Sequence, residues 1–230
     1  MKVLVVAAHP DDEVLGCGGT MARLAREGHA VHIAIMAEGI TSRHSNRNDA
    51  HSGQLTRLHQ QAHAAAAKVG AKDVLLFNLP DNRLDTVPLL DIVKLLEDLV
   101  QKLQPEVIYT HHPGDLNIDH GIVHRAVLTA TRPLPGQSVR EIYAFEVPSS
   151  TEWAFQRLEP VFRANAFVDV SATLEAKLAG LACYDSETRQ FPHPRSPEAL
   201  RANAVRWGTV VGCEAAEAFE LVRSVRPRNP

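Results

Sequence analysis

Residues 2–8, KVLVVAA, form an unbroken apolar and largely β-branched run, the pattern of a strand covered on both faces. The run leads into apolar positions at Val14, Leu15, Met21, Ala22, Leu24 and Ala25, a helical spacing that Gly28 closes. A second apolar run at 30–36, AVHIAIM, follows after a very short connection, so the chain opens with a βαβ unit and a parallel sheet. The polar stretch 37–52, rich in Ser, Asn, Arg and His, is too long for a plain connection and reads as a binding loop. Beyond it the pattern predicts a helix over 53–69, a strand over 73–77, a helix over 87–103 and a strand over 106–110. A helix over 119–130 ends before Pro133 and Pro135, and strands at 141–146 and 166–170 precede helices at 172–183 and 196–206, which finish the chain.

This alternation predicts an α/β fold with a single doubly wound, Rossmann-like, mostly parallel sheet and helices on both faces. No repeat or low-complexity segment divides it, and 230 residues suit one domain spanning 1–230. Hydrophobic residues make up 45% and charged residues 22%, a soluble composition with no run long enough to insert stably in a membrane. The net charge of -3, with no basic patch interleaved with aromatics, leaves no nucleic-acid footprint, so a small polar molecule is the expected partner. The opening MKVLVVAAHPDDE is unlike a signal peptide and predicts a cytoplasmic protein. Cys17, Cys183 and Cys213 are scattered without CxxC spacing and suggest neither disulfides nor a thiolate metal site. A homo-oligomer is compatible with the sequence, which says little more about assembly.

Two clusters carry the chemistry. The first, AHPDDE at 8–13, lies where the first strand ends, at the sheet edge where ligands bind in such folds. Asp11 and Asp12 have a bland reading as helix caps, but capping leaves His9 and the second acid unexplained. Pro10 stiffens the turn so that His9 and Asp12 can point the same way, and a cation would balance the packed acids. The second, THHPGDLNIDHGIVH at 110–124, follows the fourth strand, whose neighbour in the usual strand order is the first. The clusters should meet in one crevice. Two imidazoles and a carboxylate there would hold zinc and leave a fourth position for water, as hydrolysis requires.

Together, AHPDDEVLGCGGT and HHPGDLNIDH resemble the LmbE-like or PIG-L family of zinc N-acetylglucosaminyl deacetylases, and the α/β order matches over nearly the whole chain. The resemblance implies removal of acetyl from an N-acetylated amino sugar or its conjugate, with Zn2+ as cofactor. By position it makes His9, Asp12 and His120 the metal ligands and Asp11 the general base that activates water. Many relatives carry HPDH where this chain has Asn117, Ile118, Asp119 and His120, so Asn117 stands where a catalytic His is usual, and Asn117 and Asp119 are counted with the catalytic residues. Asn117 can donate to an oxyanion but has no titratable proton. The proton for the leaving amine would then come from Asp11 or another His, with His193, between two prolines, ahead of His111 and His112.

Arg43, with Ser42, and Asp81 and Arg83, with Asn82, follow strands and could bind sugar hydroxyls, or be turn formers and surface ion pairs. His124, four residues after His120, reads better as a support than as a ligand, and His59 with His63 as a solvated helix face. Glu217 also fits the family pattern, without a role. Three rival readings remain. A dinucleotide-binding oxidoreductase fails because Gly16, Gly18 and Gly19 lack the GxGxxG spacing and are better explained by close packing of the helix. Iron(II) oxygenase chemistry suits the ligands but not the spare base at Asp11. A catalytically impaired metal- or sugar-binding module is supported only by Asn117.

Overall fold

The computed structural model describes residues 1–40 and 52–226. Seven strands form one sheet in the order β3-β2-β1-β4-β5-β7-β6. They are β1 (Lys2–Ala7), β2 (Ala30–Ala37), β3 (Asp73–Leu79), β4 (Val107–His111), β5 (Glu141–Phe145), β6 (Ala166–Asp169) and β7 (Ala216–Ser224). The first five pair in parallel, whereas β7 runs antiparallel to both β5 and β6. The helices are α1 (Asp12–Arg26), α2 (Ser52–Lys68), α3 (Leu89–Leu103), α4 (Ile118–Ala130), α5 (Leu174–Leu181) and α6 (Pro197–Val211). This is the doubly wound, mostly parallel α/β arrangement that the alternating pattern predicts. One element was not expected: the chain does not finish on a helix, because β7 follows α6 and enters the sheet between β5 and β6.

Strand β1 shows why its run is unbroken. Val3 and Val5 face a core shared with α1, α2 and α5, while Leu4 and Val6 face a second core beneath α3 and α4, and all four are fully buried. With α1 and α4 on opposite faces, a crevice opens above the carboxyl ends of the adjacent β1 and β4.

Helix α1 is broken at Cys17 (φ -146°, ψ 27°), and an ion pair reached from distant sequence stitches the break. Glu217 on β7 accepts the freed N–H groups of Gly19 (3.0 Å) and Thr20 (2.7 Å), while Lys177 on α5 donates to the freed carbonyl of Leu15 (2.8 Å) and to Glu217 (2.6 Å). The glycines there serve packing. A Cβ on Gly16 would lie 2.2 Å from the Phe145 ring, and one on Gly19 would lie 2.9 Å from Val170. No helix among the described residues is long and apolar enough to cross a membrane.

Candidate active site

His9 and Asp12 come from the β1–α1 turn, and His120 from the first turn of α4. Asp12 Oδ2 is the meeting point: it lies 3.1 Å from His9 Nδ1 and 3.2 Å from His120 Nε2, and it accepts the His9 backbone N–H at 2.9 Å. The three side chains are buried, and a ligand atom from each lies within 4.8 Å of the other two. Both nitrogens of His120 are close to carboxylate oxygens, yet neither forms an aligned hydrogen bond. His9 Nδ1 and His120 Nε2 both turn toward Asp12 Oδ2, and these are the three atoms that a shared ion would take. Two imidazoles and a carboxylate are the donor set that zinc takes when one position is left open, so these residues fit the ion.

The outward-facing atoms are held in place as metal-binding imidazoles require. His9 Nε2 meets Asp119 Oδ2 at 3.0 Å, and the other oxygen of Asp119 accepts the Leu84 N–H. His120 Nδ1 faces Asp115 Oδ1 at 3.1 Å, and Asp115 is gripped by the hydroxyls of Ser150 and Thr151 and the Asn117 N–H. His9, Asp81 and Asp119 form a second convergent group, but Asp119 is fully buried and committed to His9 and Leu84. The first group opens onto the cavity and is the better cage.

Charge tells the same story. Burial opposes protonation of His9, but hydrogen bonds to Asp119 and Asp12 and the nearby Asp81 outweigh it and push its pKa up to about 10. His120 is pushed up to about 9, against its burial, by Asp12 and Asp115. Burial would raise Asp12 as well, but the two imidazoles hold it well below the usual carboxylate range. This pocket wants positive charge, supplied by protons or by a metal ion.

Asp11 sits beside the cage with its backbone at φ 109°, a conformation rarely adopted by residues with a side chain. Its N–H donates to Glu13 (3.0 Å), and its Oδ2 accepts from Arg195 Nη1 at 2.6 Å. Burial raises its pKa well above normal, partly offset by Arg195. Arg195 also donates through Nε to Ser149 Oγ (2.8 Å) and approaches Glu187 (3.4 Å), so its guanidinium is fixed beside the base. Sequence reasoning missed this residue. The available signal was the HPRSP segment at 193–197, in which Ser196 is the N-cap of α6 and Pro197 its first residue.

The cavity over these groups holds about 400 Å³ and is lined also by Asp81, Asn82, Asn117 and Trp153. Asn117 caps α4 through Oδ1, which accepts the Asp119 N–H (2.9 Å), and its amide donates to Asn82 (2.8 Å). Asp81 lies 3.3 Å from His9 Nε2, nearer the cage than a sugar-hydroxyl role alone would place it.

Three of the expected site residues, His193, Asp119 and Arg83, do not line this cavity. His193 packs edge-on against Trp153, and its Nδ1 accepts the Arg195 N–H at 3.1 Å. Asp119 does not reach the cavity and works through His9. Arg83 is exposed and away from it, while Arg43 and Ser42 lie outside the described residues. Of the other described histidines, His111, His112 and His124 act as supports. His111 accepts the Ala8 N–H (2.7 Å) and stacks on His120, and burial and that neighbour keep its pKa well below normal. His112 is tied to Glu220 (2.6 Å) and the Pro160 carbonyl (2.8 Å), and His124 to the His111 carbonyl (2.8 Å). On α2, His63 is exposed and His59 half-buried.

Comparison with known proteins agrees with this geometry. Residues 4–131 match the PIG-L family, described as GlcNAc-PI de-N-acetylase. The chain is 31% identical to the deacetylase YaiS of Escherichia coli over 64% of its own length and 75% of that protein. It is 27% identical to a probable N-acetyl-alpha-D-glucosaminyl L-malate deacetylase of Bacillus cereus, covering 81% of this chain and 83% of that one. The fold also superposes on the 4-carboxy-2-hydroxymuconate hydratase of Pseudomonas putida, with a TM-score of 0.75, 23% identity, and 100% and 99% of the two chains covered.

Proposed function

Because the chain belongs to the PIG-L family, we propose that it hydrolyses the acetamide of an N-acetylated amino sugar or its conjugate, through a single domain spanning 1–230. The observation that carries this reading is the convergence of His9, Asp12 and His120 on one small cavity beside a spare buried carboxylate, Asp11. His9, Asp12 and His120 would hold zinc, which when bound supplies Lewis-acid polarisation of the acetamide carbonyl and of water.

The chain's own residues supply the rest. Asp11, with its raised affinity for a proton, takes one from water at Oδ1, the oxygen that Arg195 does not hold, and can return it to the departing nitrogen. Arg195 fixes one Asp11 oxygen, keeps the carboxylate aimed at the cavity and lends positive charge where an oxyanion develops. This role falls to Arg195 rather than to His193. Asn117 holds the α4 N-terminus and, with Asn82, offers amide groups along the cavity wall for sugar hydroxyls. Asp119 and Asp115 fix the ring orientation of His9 and His120.

The fold alone does not choose the reaction, because a hydratase shares it. Incubating the zinc-loaded protein with N-acetylglucosamine and its glycosides, and measuring acetate and free amine in equal amounts, tests the proposal. Failure to release either, with Asp11→Asn no different from the unaltered chain, overturns it.

A further inference from the structure

Beside the catalytic cavity lies a second, larger depression of about 930 Å³, between the segment preceding α3, the N-terminal half of α4 and the 158–159 turn. The two share a wall, because Leu116 and Asn117 line both. Their chemistry differs sharply. The smaller holds the ionisable groups described above, whereas the floor of the larger is apolar, formed chiefly by Val87, Pro88, Leu89, Ile122 and Leu158. Of its charged residues, Asp115 is buried and committed to His120, Ser150 and Thr151, while Asp85, Arg125 and Glu159 are exposed and do not converge as a second catalytic centre.

Three large apolar side chains along this depression are open to solvent. Leu116 is 54% exposed, Ile118 54% and Leu158 43%. Isolated exposed leucines need no explanation, but these three gather on one concave surface continuous with a site, where apolar exposure marks a place to be covered. Size sets what can cover it. With its acetamide at Asp11, an amino sugar occupies much of the 400 Å³ cavity, and whatever is joined to that sugar has to leave it. The route past Leu116 leads straight onto the apolar floor.

We propose that this groove binds an apolar arm attached to the amino sugar, so that the substrate is an N-acetylated amino sugar carrying an alkyl or aryl group rather than a free or purely polar sugar. The inference rests on the deacetylase reading above. Covering the floor with such an arm removes apolar surface from water on both partners, at about 0.8 kcal/mol per methylene. That energy corresponds to a factor of about four in binding, an upper figure for an open groove. Discrimination therefore grows with arm length and levels off once the groove is filled.

The test uses the zinc-loaded full chain and methyl, butyl and hexyl glycosides of N-acetylglucosamine below their aggregation limits, read as kcat/KM for acetate release. A rise of roughly two- to fourfold per methylene is expected. Leu158→Asp, at an exposed position outside the metal cage, should flatten this series while leaving the methyl glycoside rate unchanged. Acetate release from all three at equal kcat/KM overturns the groove assignment and leaves the deacetylase reading intact, whereas no acetate from any of them, methyl included, overturns the deacetylase reading itself. Sedimentation of the unaltered and Leu158→Asp chains adds a third arm: an oligomer that the substitution dissociates, with the length dependence untouched, assigns the groove to a second copy of the chain and overturns the proposal.

Discussion

Replacing Glu217 with Ala should markedly destabilise the fold, because three separate partners lose their acceptor at once. The Lys177 ammonium is left unpaired in an environment where the two residues are only 6% and 4% exposed, and the Gly19 and Thr20 N–H groups are left without the carboxylate that closes the break in α1. Removing one partner of a buried pair typically costs about 3–5 kcal/mol. For a domain of this size each kcal/mol lowers Tm by about 2–4 °C, so Glu217→Ala should melt roughly 6–20 °C below the unaltered chain. Lys177→Met should cost less, since the remaining carboxylate keeps two N–H donors at the start of a helical segment. Calorimetry on metal-free protein is the suitable assay, because bound metal would add its own stabilisation. The exposed Arg57–Asp185 pair, 2.6 Å apart, provides a control whose Arg57→Ala substitution should barely move Tm. A Glu217→Ala melt within 2 °C of the unaltered protein would refute the view that this pair holds the break closed.

His9→Ala, Asp12→Ala and His120→Ala should each lose most bound zinc by elemental analysis, since each removes one of three protein ligands, and stoichiometric metal in a purified variant would strike that residue from the set. Asp11→Asn should keep zinc and lose at least about a hundredfold in kcat, and unchanged turnover would place the base elsewhere. Arg195→Met should lower kcat by about ten- to a hundredfold with zinc retained, and the Asp11→Asn, Arg195→Met double variant should lose little more than Asp11→Asn alone, as residues that act as a unit do. Fully multiplicative losses would mean that Arg195 does not work through Asp11. His193→Ala should stay within severalfold of the unaltered enzyme, and a drop of two or more powers of ten would restore that imidazole to the reaction.

What the sequence made legible and what it hid follow one physical division. Strand β1 was readable because both its faces are buried, which leaves an unbroken apolar run, and the two clusters were readable because parallel pairing delivers strand ends to one edge. Strand β7 was not, because Glu217 points a charge into the protein at a position where a buried strand should be apolar, and its cation, Lys177, is 40 residues away in sequence. The break in α1 was hidden for the same reason, although the small residues around it correctly suggested close packing. Arg195 escaped because its meaning lies in a contact 184 residues distant, while its neighbour His193 carries the more conspicuous catalytic chemistry. Local pattern reports burial and periodicity, and it is silent on which distant charge answers a buried one.

The two halves of the site hang from parts of the fold that breathe differently. His9 and His120 sit in the segments that follow β1 and β4, on the β1–α1 turn and the first turn of α4, and these adjacent central strands are tied together by the Ala8–His111 hydrogen bond and cannot separate without opening both cores. Arg195 stands instead on the connection between α5 and α6, fastened by a few polar contacts that can detach while the sheet stays whole. Backbone amides around β1 and β4 should therefore exchange with deuterium only through global unfolding, and those near 189–195 through small, frequent excursions. Under mild heat or denaturant the metal cage would then outlast the clamp on the base, so that inactivation precedes both metal release and loss of the fold.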